Sequence, residues 1–139
     1  MLDARKLARI HRVRTLQLGL TQADEARAHQ RVASEAALAQ RIGQLAAGVA
    51  PAPEASAGFS MAAAAYYRER LFQTAAAADT RVRAAEGSAH RAVEATRAAK
   101  RDQTAVEKLI ERADAVAMTK EMRALEETPP ARKNRHDPC

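Results

Sequence analysis

The sequence predicts an all-α fold: two long helices folded into an antiparallel coiled-coil hairpin, the second helix the longer. Three observations predict it. The prolines fall in two places only, Pro51 with Pro53, then Pro129, Pro130 and Pro138. Proline removes a backbone donor and clashes with the preceding turn, so these positions mark where helix must stop. Alanine, the strongest helix former, supplies 36 of the 139 residues, and it carries no side-chain entropy cost. Finally, a 4–3 seam runs through Leu71, Ala75, Ala78, Val82, Ala85, Ala89, Ala92, Thr96, Ala99, Gln103, Val106, Ile110, Ala113 and Ala117. Only Thr96 and Gln103 in it are polar, and a repeat of 3.5 sustained this long calls for a partner helix.

The elements follow in chain order. The first helix is placed at 3–47, with Asp3 as N-cap and Gly48 just past the last turn. Its larger apolar residues are Leu7, Ile10, Val13, Leu16 and Leu20, then Val32, Leu38, Ile42 and Leu45. Their spacings of three or four suit a helical face, although the heptad phase is irregular. Gly19 followed by Thr21–Asp24 offers a capping-box restart and hence a hinge. A continuous helix is preferred, because one interior glycine costs only about 1 kcal/mol relative to alanine. A loop covers 48–59. The second helix is placed at 60–127, from Ser60 as N-cap to the Pro129 stop, and a flexible basic tail covers 129–139.

With the turn centred near residue 54, Asp3 falls opposite Ala105, and the second helix overhangs the first. That overhang holds Val106, Leu109, Ile110, Val116, Met118, Met122 and Leu125, an exposed patch of the kind that marks a binding surface or a dimer contact. The four aromatics, Phe59, Tyr66, Tyr67 and Phe72, cluster at the other end of the rod, facing Leu38, Ile42 and Leu45. Phe59 and Phe72 are expected to cap a small core there. Adjacent tyrosines diverge by about 100° on a helix, so at least one of Tyr66 and Tyr67 points outward, where tyrosine is a frequent interface anchor.

Composition narrows the function. Leu, Ile, Val and Phe together number 22, enough for a thin seam and too few for a globular core with an enzyme pocket. The net charge of +6 sits at the termini: Arg5, Lys6, Arg9, Arg12 and Arg14 against Asp3, and Arg132, Lys133 and Arg135 against Asp137. Such a basic end attracts an acidic protein surface, nucleic acid or an anionic membrane. The lone cysteine, Cys139, makes no internal disulfide, and no apolar run approaches the ~20 residues of a membrane span. A signal peptide is not expected, since Leu16–Leu20 is broken by Gln17 and Gly19. His11, His29, His90 and His136 are scattered without ligand or catalytic partners, and no phosphate-binding loop occurs. His136, Asp137 and Cys139 in a flexible tail make a poor metal site. The expectation is a protein that is not an enzyme and holds no cofactor or metal.

The stretch Lys100–Arg112 (KRDQTAVEKLIER), continued through Met118–Glu127 into a basic tail, resembles the FliJ family of flagellar export proteins and the related YscO group of injectisomes. Val106, Leu109 and Arg112 fill that family's V/W-x-x-L-x-x-R pattern, and size and hairpin shape agree along nearly the whole chain. The high alanine content, the Pro-Ala-Pro loop and the Pro129-Pro130 stop depart from it. The resemblance implies a cytoplasmic stalk of a type III export apparatus, peripheral at the inner membrane through that apparatus. The stalk would join the hexameric export ATPase to the cytoplasmic domain of the export gate and bind export chaperones. It implies an ATPase-facing group of Arg5, Arg9, Arg12, Val106, Leu109, Arg112, Met118 and Met122. It also implies a gate-facing group of Leu38, Ile42, Tyr66, Tyr67 and Phe72. Two alternatives stand beside it: a basic coiled-coil nucleic-acid binder, disfavoured because no aromatics interleave with the basic residues, and a homodimeric scaffold.

Overall fold

The computed structural model describes residues 4–48 and 58–129, with side chains described for 4–48 and 61–129. The fold is all-α: helix α1 spans Ala4–Gly48 and helix α2 spans Gly58–Glu126, paired antiparallel, α2 being the longer. Helix α1 runs through Gly19 without a break. Thr21, the proposed restart cap, instead donates its hydroxyl back to the Leu18 carbonyl at 2.9 Å within the continuous helix. Helix α2 begins two residues before Ser60, which is therefore inside the helix and not its N-cap. Asp3 lies outside the described residues. The C-terminus of α2 closes as Pro129 requires: Glu127 N–H donates to the Arg123 carbonyl at 3.0 Å and the Thr128 hydroxyl to that of Ala124 at 2.7 Å.

The chain divides into two units. In the first, residues up to Thr15 pair with those from Arg101 onward. Arg14 Nη1 donates to Asp102 Oδ2 at 3.0 Å, Gln103 Nε2 donates to Thr15 Oγ1 at 3.3 Å, and His11 Nε2 lies 3.3 Å from Glu107 Oε1. These contacts fix a register in which Leu7 faces Ile110, His11 faces Val106 and Arg14 faces Gln103. Leu7, Gln103 and Val106 are buried. In the second unit, residues 16–100, Arg81 Nε stands 3.3 Å from Glu35 Oε2 as an ion pair not aligned as a hydrogen bond. Its register sets Leu18 beside Ala99, Val32 beside Ala85, Ala39 beside Ala78 and Ile42 beside Ala75. Leu18, Ala78, Ala85 and Ala89 are the buried apolar residues of this unit.

Along α2 the least exposed positions are those of the sequence seam from Leu71 to Ala113, and the pattern extends back through Arg68 and Ala64. Ala117 alone departs from it and is exposed. Along α1 the packed positions repeat at 4–3 spacing through Leu7, His11, Arg14, Leu18, Thr21, Glu25, Ala28, Val32, Glu35, Ala39, Ile42 and Ala46. This is not the face the larger apolar residues suggested. Ile10, Val13, Leu16, Leu20, Leu38 and Leu45 are all exposed. The seam across from them is lined with alanine, so the helices approach closely. Arg14, Glu25 and Glu35 nonetheless hold packed positions on α1, Arg14 reaching Asp102 and Glu35 reaching Arg81 across the pair, with Glu35 Oε2 itself buried.

The register also moves the overhang. Ala4, the first described residue of α1, falls opposite Ala113, so α1 covers α2 about two turns further than a turn centred near residue 54 implies. Helix α2 is already helical from Gly58, and the register set by the Glu35–Arg81 ion pair puts Gly48, the last residue of α1, across from Glu69. In this register Val106 and Ile110 belong to the helix pair, and among the described residues α1 reaches no further along α2 than Ala113.

Candidate protein-docking site

Where α1 reaches its first described turn, the seam of α2 continues without it. Ala113 and Ala117 hold the next seam positions, with Leu109 and Val116 beside them. Together with Ala4 and Leu7 of α1 they line an open groove of ≈ 480 Å³. Its floor is apolar, and Arg112, Asp114 and Lys120 stand at its margin. The basic side continues along the next turn in a shallower depression lined by Lys120 and Arg123 with Ala115, Val116 and Thr119. Leu7 closes one end and is buried, while Val116 is exposed. The helix geometry explains the arrangement: residues three and four apart share a face, so Leu109, Ala113, Val116, Ala117 and Lys120 present together.

Of the residues assigned to an ATPase-facing group, the groove brings Leu109 and Arg112 together. Val106 does not belong there: it is 8% exposed and occupied by the helix pairing. Met118 and Met122 are exposed on α2, with Leu125 on the same side, but helical spacing puts them opposite Val116 and away from the groove. Arg5, Arg9 and Arg12 are exposed in the same unit without lining it. Sequence reasoning missed Leu7, Ala113, Ala117 and Lys120 as groove residues. The available signal was the continuation of the seam through Ala117, taken together with Leu7 as the first packed position of α1.

In the other unit, Tyr66 and Tyr67 are both exposed, at 67% and 54%. Phe72 is exposed at 58%, so it does not cap a core; the side chain of Phe59 lies outside the described residues. Leu38 is exposed and Ile42 half-buried. The register sets Ile42 beside Ala75 and leaves Leu38 off the seam, next to Ala39, so neither faces the tyrosines. The structure therefore does not gather the five residues assigned to a gate-facing group into one cluster. It leaves the three aromatic residues on the outside of α2 and Ile42 in the seam.

Among the described residues no group of three metal-ligating side chains occurs, and no helix is long and apolar enough to cross a membrane. His136, Asp137 and Cys139 lie outside those residues. No protein-family model, curated protein or solved structure matches the chain.

Proposed function

We propose that the chain is a non-enzymatic stalk or adaptor of a type III protein export apparatus, flagellar or injectisome. In this role it links the hexameric export ATPase to the export gate at the inner membrane and offers its outer faces to export chaperones. The observation that carries this reading is the end of α2 that the described part of α1 does not cover. Exposed Arg5, Arg9 and Arg12 share a unit with an apolar, basic-rimmed groove that holds Leu109 and Arg112 of the V-x-x-L-x-x-R pattern. Exposed tyrosines in the other unit support a second contact of different character. The basic contact depends on charge and weakens with salt, whereas the aromatic one depends on apolar burial and resists it.

The test is a pull-down of the export ATPase encoded alongside this chain, at about 50 mM and about 500 mM salt. Binding at low salt that is lost on replacing Arg5, Arg9 and Arg12 together by Ala is the expected result. No binding at low salt, or binding indifferent to those substitutions, removes the reading. Duplex DNA retained at low salt would redirect it to a nucleic-acid binder.

A further inference from the structure

The seam of α2 is longer than the face of α1 that packs on it. The packed positions of α1, from Leu7 to Ala46, stand against the seam from Ile110 to Leu71, and the same 4–3 phase continues through Ala113 and Ala117. We propose that the helix pair has a second, less populated register, in which α1 slides one heptad toward the C-terminus of α2. Leu7 then faces Ala117, and every packed position of α1 still meets the seam. The slide carries α1 about 10 Å along α2. Displacements of this kind let a two-state helix pair respond to a partner bound at one end. The proposal stands whether or not the export reading holds, since it concerns only how the two helices match.

The residues brought together choose the direction. Sliding toward the C-terminus of α2 sets Ile42 on Val82, lets His11 trade Glu107 for Asp114, and brings Glu25 beside Lys100. Sliding the other way sets Leu7 on Gln103 and Ile42 on Arg68, and brings Glu25 beside Glu86. Apolar residues stacked on polar ones and like charges at the seam's edge disfavour that second direction. The present register remains the major one, because it joins Arg14 to Asp102 and Glu35 to Arg81. After the slide Arg14 lies over Ile110 near Glu111, and Glu35 over Ala89 near Ser88. Both present pairs are partly exposed, so each is weak, and their loss does not forbid the slid state. Chain length limits the travel. Residues 49–57 join the helices, and a fully extended link of that length spans about 35 Å. One heptad sets Gly48 across from Ala76, about 27 Å along α2 from Gly58 and roughly 29 Å away once the spacing of the helix axes is included. A second heptad, at about 38 Å along the helix, is beyond the link.

The experiment uses the full chain with Cys139→Ser and engineered cysteine pairs, equilibrated in a glutathione redox buffer. The fraction of intramolecular disulfide then reads how often two positions meet. Ala39→Cys with Ala78→Cys reports the present register, with Ala85→Cys the slid one, and with Leu71→Cys the opposite slide. In the present register Ala85 and Leu71 each lie about 10 Å along α2 from the level of Ala39, too far for a disulfide. The Ala78 pair is expected to form most, and the Ala85 pair about tenfold or more over the Leu71 pair. Leu71 lies nearer the turn, so opening of the helix ends would favour its pair and not that of Ala85. Asp102→Ala with Arg81→Ala removes contacts that only the present register uses, and should raise the Ala85 disulfide about threefold or more relative to the Ala78 one. Circular dichroism of the reduced chains checks that each is helical. Should the Ala39 set not fold, Ala28→Cys with Ala89→Cys, Thr96→Cys or Val82→Cys reads the same three registers. An Ala85 disulfide no more favoured than the Leu71 one, or one unmoved by Asp102→Ala with Arg81→Ala, overturns the proposal. So does failure of the Ala78 disulfide, which removes the register from which the slide is reckoned.

Discussion

The two helices solve the same packing problem in opposite ways. The packed face of α2 is mostly alanine, with Leu71, Val82, Val106 and Ile110 spaced along it and only Thr96 and Gln103 polar between Leu71 and Ala113. The packed face of α1 is mixed, and His11, Arg14, Thr21, Glu25 and Glu35 alternate there with Leu7, Leu18, Val32 and Ile42. The difference teaches that a burial pattern belongs to a pair of helices and not to one. A mostly small surface on α2 leaves room for long polar stems on α1, whose heads stay near water except for the buried Glu35 Oε2. The large apolar residues of α1 are released to its outer face. The polar contacts supply what alanine cannot, which is register: identical small residues match equally well after a shift of one heptad, whereas Arg14 with Asp102 and Glu35 with Arg81 match only in one.

The largest effect that could break this contrast comes from placing a charge on the smooth side. Ala89, 5% exposed, faces Ala28. Ala89→Glu should cost on the order of 3 kcal/mol, because the carboxylate lands against a small residue with no partner. Removing a charge from the mixed side should do little: Glu25→Ala is expected within about 0.5 kcal/mol of the parent. Urea unfolding followed at 222 nm measures both, and comparable losses would show that the helices are not asymmetric. Next in size is Leu18→Ala, expected to cost about 2 kcal/mol, against Leu20→Ala, expected to be near neutral because Leu20 faces solvent at 66% exposure. Two residues of one type, two positions apart, then report which face of α1 is packed. A larger loss at Leu20 would overturn the register.

Those pairs also show what was legible in the sequence. The α2 seam could be read because its 4–3 repeat is uninterrupted and its helix stops are set by proline. The α1 face could not be read from hydrophobicity. Leu18 was passed over in favour of Leu16 and Leu20, since a search for apolar residues has no reason to accept His11, Arg14 and Glu35 as packed positions. Only the partner surface makes them so. The overhang was legible in kind but not in extent, because a loop centred on its prolines suggested one register and the matched seams of the two helices set another. Phe72 was read as core on the premise that an aromatic residue near a turn is buried. It is exposed because α2 leaves it outside the 4–3 seam, one residue after Leu71. Of the docking groove, Leu109 and Arg112 were visible as a motif. Leu7, Ala117 and Lys120 became visible only once the register placed the end of α1.

The smallest expected effect sharpens the claim about register. Arg14 and Asp102 are joined at 3.0 Å, with side chains 40% and 53% exposed, so solvent screens their attraction heavily. A double-mutant cycle with Arg14→Ala and Asp102→Ala should give a coupling energy below about 1 kcal/mol. The cycle is needed because removing Arg14 alone also loses its packing over the seam. The coupling should fade toward zero at about 1 M salt, where the screening length is about 3 Å. Weak coupling is compatible with a register role, because alternatives separated by one heptad need differ by only a few such contacts. A coupling of about 2 kcal/mol that survives high salt would mean the reverse: the charge pairs of α1 would carry the stability of the helix pair, and the alanine seam would serve only as their spacer.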